Sequence, residues 1–258
     1  MESFILHEWL ILVPIKVNGI KGWANIDTGA TGSTVSGKIA RNLRVWRETK
    51  VQGAIKEQMR EIVKLKEVNF LNEKFENLET SVDKDFLNEL PVETLMTCGV
   101  DILYSHTLVL DFKELKVGFD RENLEATEGI DVSKVKGLVT FKMGLGDSEV
   151  TALFDTGAGF SVINGNHLED FAYDITPVYS IEVKDPMGGL GVVDVFTGDL
   201  QIGDLYLNDE EFLLMDLSGI EEALNARIDF ILGASTMLRS NAIWRIGEEK
   251  VSVAKIPG

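Results

Sequence analysis

Two aspartates, each at the start of a tetrapeptide DTGA, are the strongest candidates for acid–base chemistry in this chain. They are Asp27 and Asp155, and about half of the 258 residues separate them. Two carboxylates brought close together cannot both ionise cheaply, so such a pair holds one proton between its members. The charged member can then act as a general base on a water molecule, while the protonated member donates a hydrogen bond.

The residues around the two motifs match as well. The first copy reads NIDTGATGSTVSG and the second reads LFDTGAGFSVING, so Ser33 corresponds to Ser161. An apolar run precedes each aspartate, and each half of the chain ends with a hydrophobic stretch followed by a glycine, Gly99 or Gly233. A repeat of this length is too long for a solenoid unit and indicates a duplicated domain.

These residues resemble the aspartic protease superfamily and, more closely, its retropepsin-like branch. In that branch DTGA is followed by a turn of small residues, and the lobe closes with two apolar residues and a glycine. The resemblance covers nearly the whole chain, once per half. It implies a mostly β fold with two homologous retropepsin-like (acid protease) lobes, pseudo-twofold symmetry, short helices and a central cleft.

The organisation along the chain follows from the repeat. We expect an N-terminal lobe at residues 1–120 and a C-terminal lobe at residues 134–258. Residues 121–133 are polar and lack strand alternation, so we interpret them as the interlobe linker. Within each lobe the sequence predicts two strands on either side of a turn, at Asn18 and Gly19 in the first lobe and around 144–147 in the second.

The resemblance implies that Asp27 and Asp155 are the catalytic pair. The expected site-supporting residues follow each aspartate directly: Thr28, Gly29, Ala30, Thr156, Gly157 and Ala158. The two threonine hydroxyls should bond across the lobe junction. The two glycines should let backbone N–H groups approach the carboxylates, which favours the ionised form.

The alanines that end the two motifs predict the acidity of the site. Pepsins usually have Ser or Thr at these positions, where a hydroxyl adds a hydrogen bond to a carboxylate. Ala30 and Ala158 cannot supply that bond. The pair should therefore be less acidic than the pair of a gastric pepsin, and the pH optimum should be higher.

Each lobe of this family carries a hairpin that can fold over the cleft. The candidate tips are Gly53 and Ala54 in the first lobe and Met187, Gly188 and Gly189 in the second. Glycine permits a positive φ at such a tip. An ordinary surface turn is the alternative interpretation of both segments. The first candidate carries no tyrosine, unlike the corresponding hairpin of pepsins.

The function implied by the resemblance is that of an aspartic endopeptidase, which hydrolyses peptide bonds with water activated by the two aspartates and is active as a single chain. The alternative is a catalytically silent peptide-binding or scaffold protein of the same fold. The expected partner is a peptide or protein substrate, and the expected state is a monomer. With only 26 residues before Asp27, a pepsin-type inhibitory prosegment is not expected.

Composition and charge bear on the expected partners, location and cofactors of the protein. The net charge of −17 argues against a nucleic-acid partner, and the sequence lacks an apolar run long enough for a membrane span. The single cysteine, Cys98, favours a reducing compartment, and we expect a cytoplasmic protein in which this thiol is buried. The three histidines form no close ligand pair, so we expect no metal and no cofactor.

Overall fold

The computed structural model describes residues 1–52, 57–84, 87, 90, 92–120, 129–184, 190–247 and 249–255. We call residues 1–120 the first half and residues 129–258 the second half. Strands dominate both halves, and the helices are short. The predicted mostly β class is therefore confirmed.

The strands of the first half alternate with tight turns. They are β1 (Glu2–Ser3), β2 (Ile5–His7), β3 (Leu10–Val17), β4 (Ile20–Ile26), β5 (Thr34–Ser36), β6 (Val45–Gln52), β7 (Glu57–Phe70), β8 (Glu73–Asp83), β9 (Thr94–Cys98), β10 (Thr107–Asp111) and β11 (Lys116–Asp120). The predicted turn between β3 and β4 is confirmed. It consists of Asn18 and Gly19, both with positive φ.

The described part of the second half repeats the series from β2 to β11. Its strands are β12 (Ile130–Val135), β13 (Leu138–Leu145), β14 (Ser148–Phe154), β15 (Ser161–Asn164), β16 (Ile175–Lys184), β17 (Leu190–Ile202), β18 (Leu205–Met215), β19 (Phe230–Leu232), β20 (Ala242–Ile246) and β21 (Lys250–Lys255). The predicted turn between β13 and β14 is also present, at Gly146 and Asp147.

The helices occupy two matching places in each half. Helix α1 (Gly37–Ala40) follows β5, and a 3₁₀ helix at Gly165–Asp170 follows β15. Helix α2 (Val100–Leu103) follows β9, and α4 (Ala234–Ser240) follows β19. Helix α3 (Ser218–Leu224) lies between β18 and β19. No helix among the described residues is long and apolar enough to cross a lipid bilayer.

Both halves have the same strand order. In the first half it is β2-β3-β4-β9-β5-β8-β7-β6, and in the second it is β12-β13-β14-β19-β15-β18-β17-β16. The additional pairing of β3 with β7 is repeated by that of β13 with β17. The halves thus share one topology, while the predicted twofold axis between them and the lobe boundaries stay predictions.

A second group of strands joins the two halves. Its order is β1-β11-β10-β20-β21-β12, so β10 of the first half pairs directly with β20 of the second. The predicted linker, 121–133, is wrong at its C-terminal end, because residues 130–133 belong to β12. Ile130 pairs with Val251 of β21 and Val132 with Phe141 of β13, which makes this stretch a strand in spite of its polar composition. Residues 121–128 lie outside the described residues.

The hydrophobic core continues from one half into the other. Its main cluster contains Ile26 and Cys98 of the first half together with Phe154 and Trp244 of the second. The rings of Phe154 and Trp244 lie 5.6 Å apart between centroids. Cys98 is a free thiol and is fully buried, as predicted. This packing fixes the ends of β4 and β14, which immediately precede the two DTGA motifs.

Candidate active site

The two DTGA loops leave their sheets in the same way. Asp27 follows β4 and its N–H donates to Cys98 O at 3.0 Å, while Asp155 follows β14 and its N–H donates to Leu232 O at 3.0 Å. Each acceptor belongs to a strand that runs parallel to the strand before the aspartate. The backbone of each aspartate is therefore held by the sheet before its loop turns away.

Four hydrogen bonds made by Thr28 and Thr156 join the loops across the two halves. Thr28 Oγ1 donates to Phe154 O at 3.0 Å and accepts from Thr156 N at 2.9 Å. Thr156 Oγ1 donates to Ile26 O at 2.9 Å and accepts from Thr28 N at 3.1 Å. Both threonines are 0% exposed. Because each hydroxyl uses both its donor and an acceptor site, the loops are held in one mutual position.

The carboxylates meet at the centre of this junction. The side chains of Asp27 and Asp155 lie close enough for the charge of Asp155 to raise the pKa of Asp27. A Cβ placed on Gly29 would lie 2.3 Å from Asp155 Cγ, and one on Gly157 would lie 2.3 Å from Asp27 Cγ. Only glycine allows this approach of each loop's backbone to the opposite carboxylate. The structure thus brings together the two predicted catalytic residues and all six predicted supporting residues.

Backbone N–H groups surround the pair. Asp155 Oδ1 accepts from Gly157 N at 2.8 Å and from Ala158 N at 3.2 Å. Asp27 Oδ1 accepts from Gly29 N at 3.0 Å. Such bonds stabilise a carboxylate and partly offset the cost of removing it from water.

The pKa values of both aspartates are raised. Burial raises the pKa of Asp27 well above its ordinary value, and the charge of Asp155 raises it further. Burial also raises the pKa of Asp155, while the N–H groups of Gly157 and Ala158 act in the opposite direction. Both residues nevertheless keep part of their surface exposed. This is the arrangement in which one proton is shared.

A serine six residues after the aspartate of each motif binds the glycine that closes each half. Ser33 Oγ donates to Asp101 Oδ1 at 2.7 Å and accepts from Gly99 N at 3.0 Å. Ser161 Oγ is 2.8 Å from Thr236 Oγ1 and accepts from Gly233 N at 2.9 Å. The matched serines in the sequence were the signal for this contact.

Tyr104 is a residue near the pair that the motif comparison missed. It follows helix α2, and its buried hydroxyl lies next to Thr28. Burial raises the pKa of this phenol, and the charges of Asp155 and Asp27 raise it further, so it stays protonated. The second half has no tyrosine at the corresponding place after β19, and a tyrosine after a short helix carries no signal of its own.

The two candidate hairpins are present up to their tips. The first consists of β6 and β7, and the second of β16 and β17. Strand β6 of the first hairpin lies against α3 of the second half. The predicted tips, Gly53 and Ala54 in one hairpin and Met187, Gly188 and Gly189 in the other, lie outside the described residues.

Comparisons with known proteins agree with the motif for part of the chain. Residues 13–100 match the model of a family described as aspartyl protease. Among solved structures, a retropepsin-like aspartic protease from Rickettsia conorii is similar, with 18% sequence identity and a TM-score of 0.32 over 42% of this chain and 81% of that one. No curated protein matches the sequence. Residues 13–100, the segment that carries Asp27, are thus similar to the aspartyl protease family.

Proposed function

We propose that this chain is an aspartic endopeptidase in which Asp27 and Asp155 activate the attacking water. The observation that carries the proposal is the contact between the two carboxylates, held by the reciprocal bonds of Thr28 and Thr156. The aspartyl protease match of residues 13–100 independently supports a peptidase of this fold.

The reaction needs one charged and one neutral carboxyl group. Asp155 Oδ1 accepts two backbone N–H bonds and Asp27 Oδ1 accepts one, which favours the charge on Asp155 and the proton on Asp27. Asp155 then removes a proton from water, and the hydroxide adds to the carbonyl carbon of the peptide. Asp27 donates its proton to the carbonyl oxygen, which gives a neutral gem-diol.

Collapse of the gem-diol completes the hydrolysis. A proton passes from Asp155 to the peptide nitrogen, the C–N bond breaks, and Asp27 takes back a proton from one gem-diol hydroxyl as the carboxyl and amine products leave. The aspartates end with one proton between them, as they began. No covalent bond to the protein forms at any step, so the site needs only to hold the carboxylates, the water and an extended peptide in register.

Both carboxylates belong to one chain, so we propose that the active form is a monomer. The strands β10 and β20 and the threonine bonds hold the two halves together without a second copy. A monomeric mass in solution, measured on a fraction that cleaves peptide, would support this part of the proposal. Activity confined to a dimer fraction would contradict it.

The deciding experiment is digestion of a mixed peptide library between pH 3 and pH 8 by the parent protein and by Asp155→Asn. Asparagine keeps the shape of the side chain but cannot take the proton from water. We expect cleavage by the parent and a loss of at least about a thousandfold in the variant, the scale seen when members of a catalytic group are removed. Thr31→Ala, an exposed substitution in the same loop region, is the matched control.

Two other outcomes have defined meanings. Equal cleavage by the parent and by Asp155→Asn would place the chemistry elsewhere. Binding of peptides without cleavage by the parent at any pH would favour the silent peptide-binding protein of the same fold.

A further inference from the structure

The face of the first-half sheet that carries Asp27 is lined by polar residues. Asn25 precedes Asp27 by two positions along β4, and alternate residues of a strand point to the same face. Asn25 is in register with Thr97 of β9, Thr97 with Thr34 of β5, and Thr34 with Ser81 of β8. Residues in register on neighbouring strands share a face. We call these four residues the first row.

The same positions in the second half are all apolar. Leu153 precedes Asp155 by two positions and is in register with Ile231 of β19. Ile231 is in register with Val162 of β15, and Val162 with Leu213 of β18. We call these four residues the second row. The two rows therefore occupy equivalent places in the repeated topology but differ at every position in chemical type.

The first row contains a buried polar atom that lacks a partner. Asn25 is only 3% exposed, and its Oδ1 has no hydrogen-bond partner among the described residues. Thr34 and Ser81 bond to each other through their hydroxyls at 2.7 Å. Thr34 and Thr97 remain half-buried, so the row is accessible in part. An unpaired buried acceptor is costly and calls for an explanation, which a ligand with a hydrogen-bond donor provides.

The second row lies beneath an apolar surface. Its four residues form a hydrophobic cluster that extends to partly exposed side chains of the DTGA loop, the second hairpin and α3. These include Phe160, Val183 and Ile220. A surface that is apolar throughout gains free energy only when an apolar group covers it.

Two pairs of equivalent positions beside the rows also differ: one pair carries aromatic rings, and the other consists of glycines. Trp9 occupies the turn between β2 and β3, and its ring meets Phe160 edge to face at 5.9 Å. In the second half the turn between β12 and β13 has Gly137 in place of Trp9, and Gly32 stands where the second loop has Phe160. Among the described residues, a Cβ on Gly32 would have no neighbour within 4 Å. The corner formed by Trp9 and Phe160 is thus filled by two rings, whereas the equivalent corner, formed by Gly137 and Gly32, carries no side chain.

Trp9 occupies this turn although its backbone conformation is unfavourable for a bulky residue. Its φ of 73° lies in the left-handed region, which a bulky side chain seldom adopts, whereas the equivalent Gly137 has a φ of 87° without such a cost. Strain of this kind persists where the surroundings require it and is common at ligand sites. The contact of Trp9 with Phe160 and Gly159 supplies that requirement.

We infer that the cleft has one polar and one apolar wall, and that it selects peptides with a hydrogen-bond-donating side chain on one side of the scissile bond and an apolar side chain on the other. Asn25 and Thr97 recognise the first side chain. Phe160, Trp9 and the second row recognise the second. This specificity rests on the proposed function, since it uses the same cleft.

The test measures position-specific preference with a randomised octapeptide library. Binding is selected on Asp155→Asn, which should leave the peptides uncut, and cleavage is mapped on the otherwise unchanged protein. Each readout is repeated with Asn25→Leu, which copies Leu153, with Thr97→Val, which keeps the shape of the side chain, and with Trp9→Gly, which copies Gly137. Melting temperatures of all variants separate altered recognition from altered folding.

We expect each variant to change one position only. Asn25→Leu and Thr97→Val should lower the polar preference by about tenfold or more, because a site built around a hydrogen bond discriminates strongly through it. Trp9→Gly should lower the apolar preference at the other position and leave the polar one unchanged.

Unchanged preferences in folded Asn25→Leu and Thr97→Val would overturn the inference, even if cleavage by the parent upheld the proposed function. The expected shifts in binding without cleavage would uphold the two walls and contradict the peptidase. A parent that neither binds nor cuts any peptide would overturn both.

Discussion

The two halves carry matching residues at the junction of the DTGA loops but different residues at the walls beside it. At the junction the hydrogen bonds of Thr28 are returned one for one by those of Thr156. At the walls the same topological positions carry different chemistry, as in Asn25 and Leu153. The difference separates what the pair of carboxylates requires from what a bound peptide requires.

A shared proton explains why the junction is matched. Two carboxylates that exchange roles as base and acid need similar distances and similar donors, so a change in one loop alone alters the pair. A peptide, in contrast, has a direction and different side chains on its two sides. A duplicated chain, unlike a dimer of identical chains, can change one wall without changing the other.

The largest expected effect comes from replacing Gly29, one of the two glycines that approach the opposite carboxylate. In Gly29→Ala the new methyl group would lie 2.3 Å from Asp155 Cγ, so the carboxylate must move. We expect kcat/KM to fall by more than about 100-fold, because a displacement near 1 Å at a reacting group has that effect. Steady-state kinetics on a cleaved library peptide measure the change.

Gly32→Ala is the matched control for this prediction. Gly32 lies in the same loop region, and its added methyl group would meet no atom within 4 Å. Its activity should equal that of the parent. A similar loss in both variants would mean that the loop tolerates no side chain at all and that the approach to Asp155 is not the cause.

The next effect concerns the stability of the junction. Thr28→Ala removes the hydroxyl that serves Phe154 O and Thr156 N and leaves both groups buried without a partner. At about 1–3 kcal/mol for each of the two unsatisfied groups, the free energy of unfolding should fall by about 2–6 kcal/mol. Thr156→Ala should cost a similar amount, because its bonds are the mirror of the first set.

Urea unfolding at neutral pH measures this prediction, with Thr28→Ser as the control that keeps the hydroxyl. Thr28→Ser should lose much less than Thr28→Ala. Clearly unequal losses for Thr28→Ala and Thr156→Ala would show that the junction is less symmetric in energy than in geometry.

The contrast between the junction and the walls explains which features could be predicted from the sequence alone. The dyad loops were predictable because the exact repeat of DTGA, with Ser33 and Ser161 in step, reflects requirements that are the same in both halves. The walls were not, because the residues of each row come from four separate strands. Their alignment depends on register, which the hydrophobic pattern of one strand does not specify.

Two further features show why local composition misled. Residues 130–133 were assigned to a polar linker, but β12 gains its partners from β13 and β21, which lie elsewhere in the chain. Trp9 was not assigned to a turn, because tight turns with positive φ normally use Gly, Asn or Asp. Its contact with Phe160, 151 residues later by position, is a tertiary effect.

A third prediction tests whether the raised pKa values act as a property of the pair. An aspartate whose pKa is raised by folding contributes stability that is fully present below its unfolded pKa, near 3.9, and is lost as the pH rises through the folded value. Asp27→Asn removes this penalty. The melting temperature of the variant should therefore exceed that of the parent at pH 7, and the gain should shrink toward pH 4.

Asp155→Asn should show the same pattern, because burial raises the pKa of that residue too. Thermal melts from pH 4 to pH 8 measure both variants, with Thr31→Ala as the exposed control. A gain that is as large at pH 4 as at pH 7 would contradict the titration of the pair as its cause.

The smallest expected effect comes from adding a hydroxyl to one of the two loops at the junction. Ala30→Ser places a hydroxyl near one carboxylate only and leaves Ala158 unchanged. A donated hydrogen bond favours the charged form, so the acid limb of kcat/KM against pH should move down by about half to one pH unit, the equivalent of one ordinary hydrogen bond. Ala30→Cys adds a group of similar shape with a much weaker donor and should leave the limb in place. Ala158→Ser should move the same limb by a similar amount, since the titration belongs to the pair and not to one member. A shift for only one of the two serine variants would assign the titrating proton to that side of the dyad, and the chemistry would then be asymmetric where the loops are not.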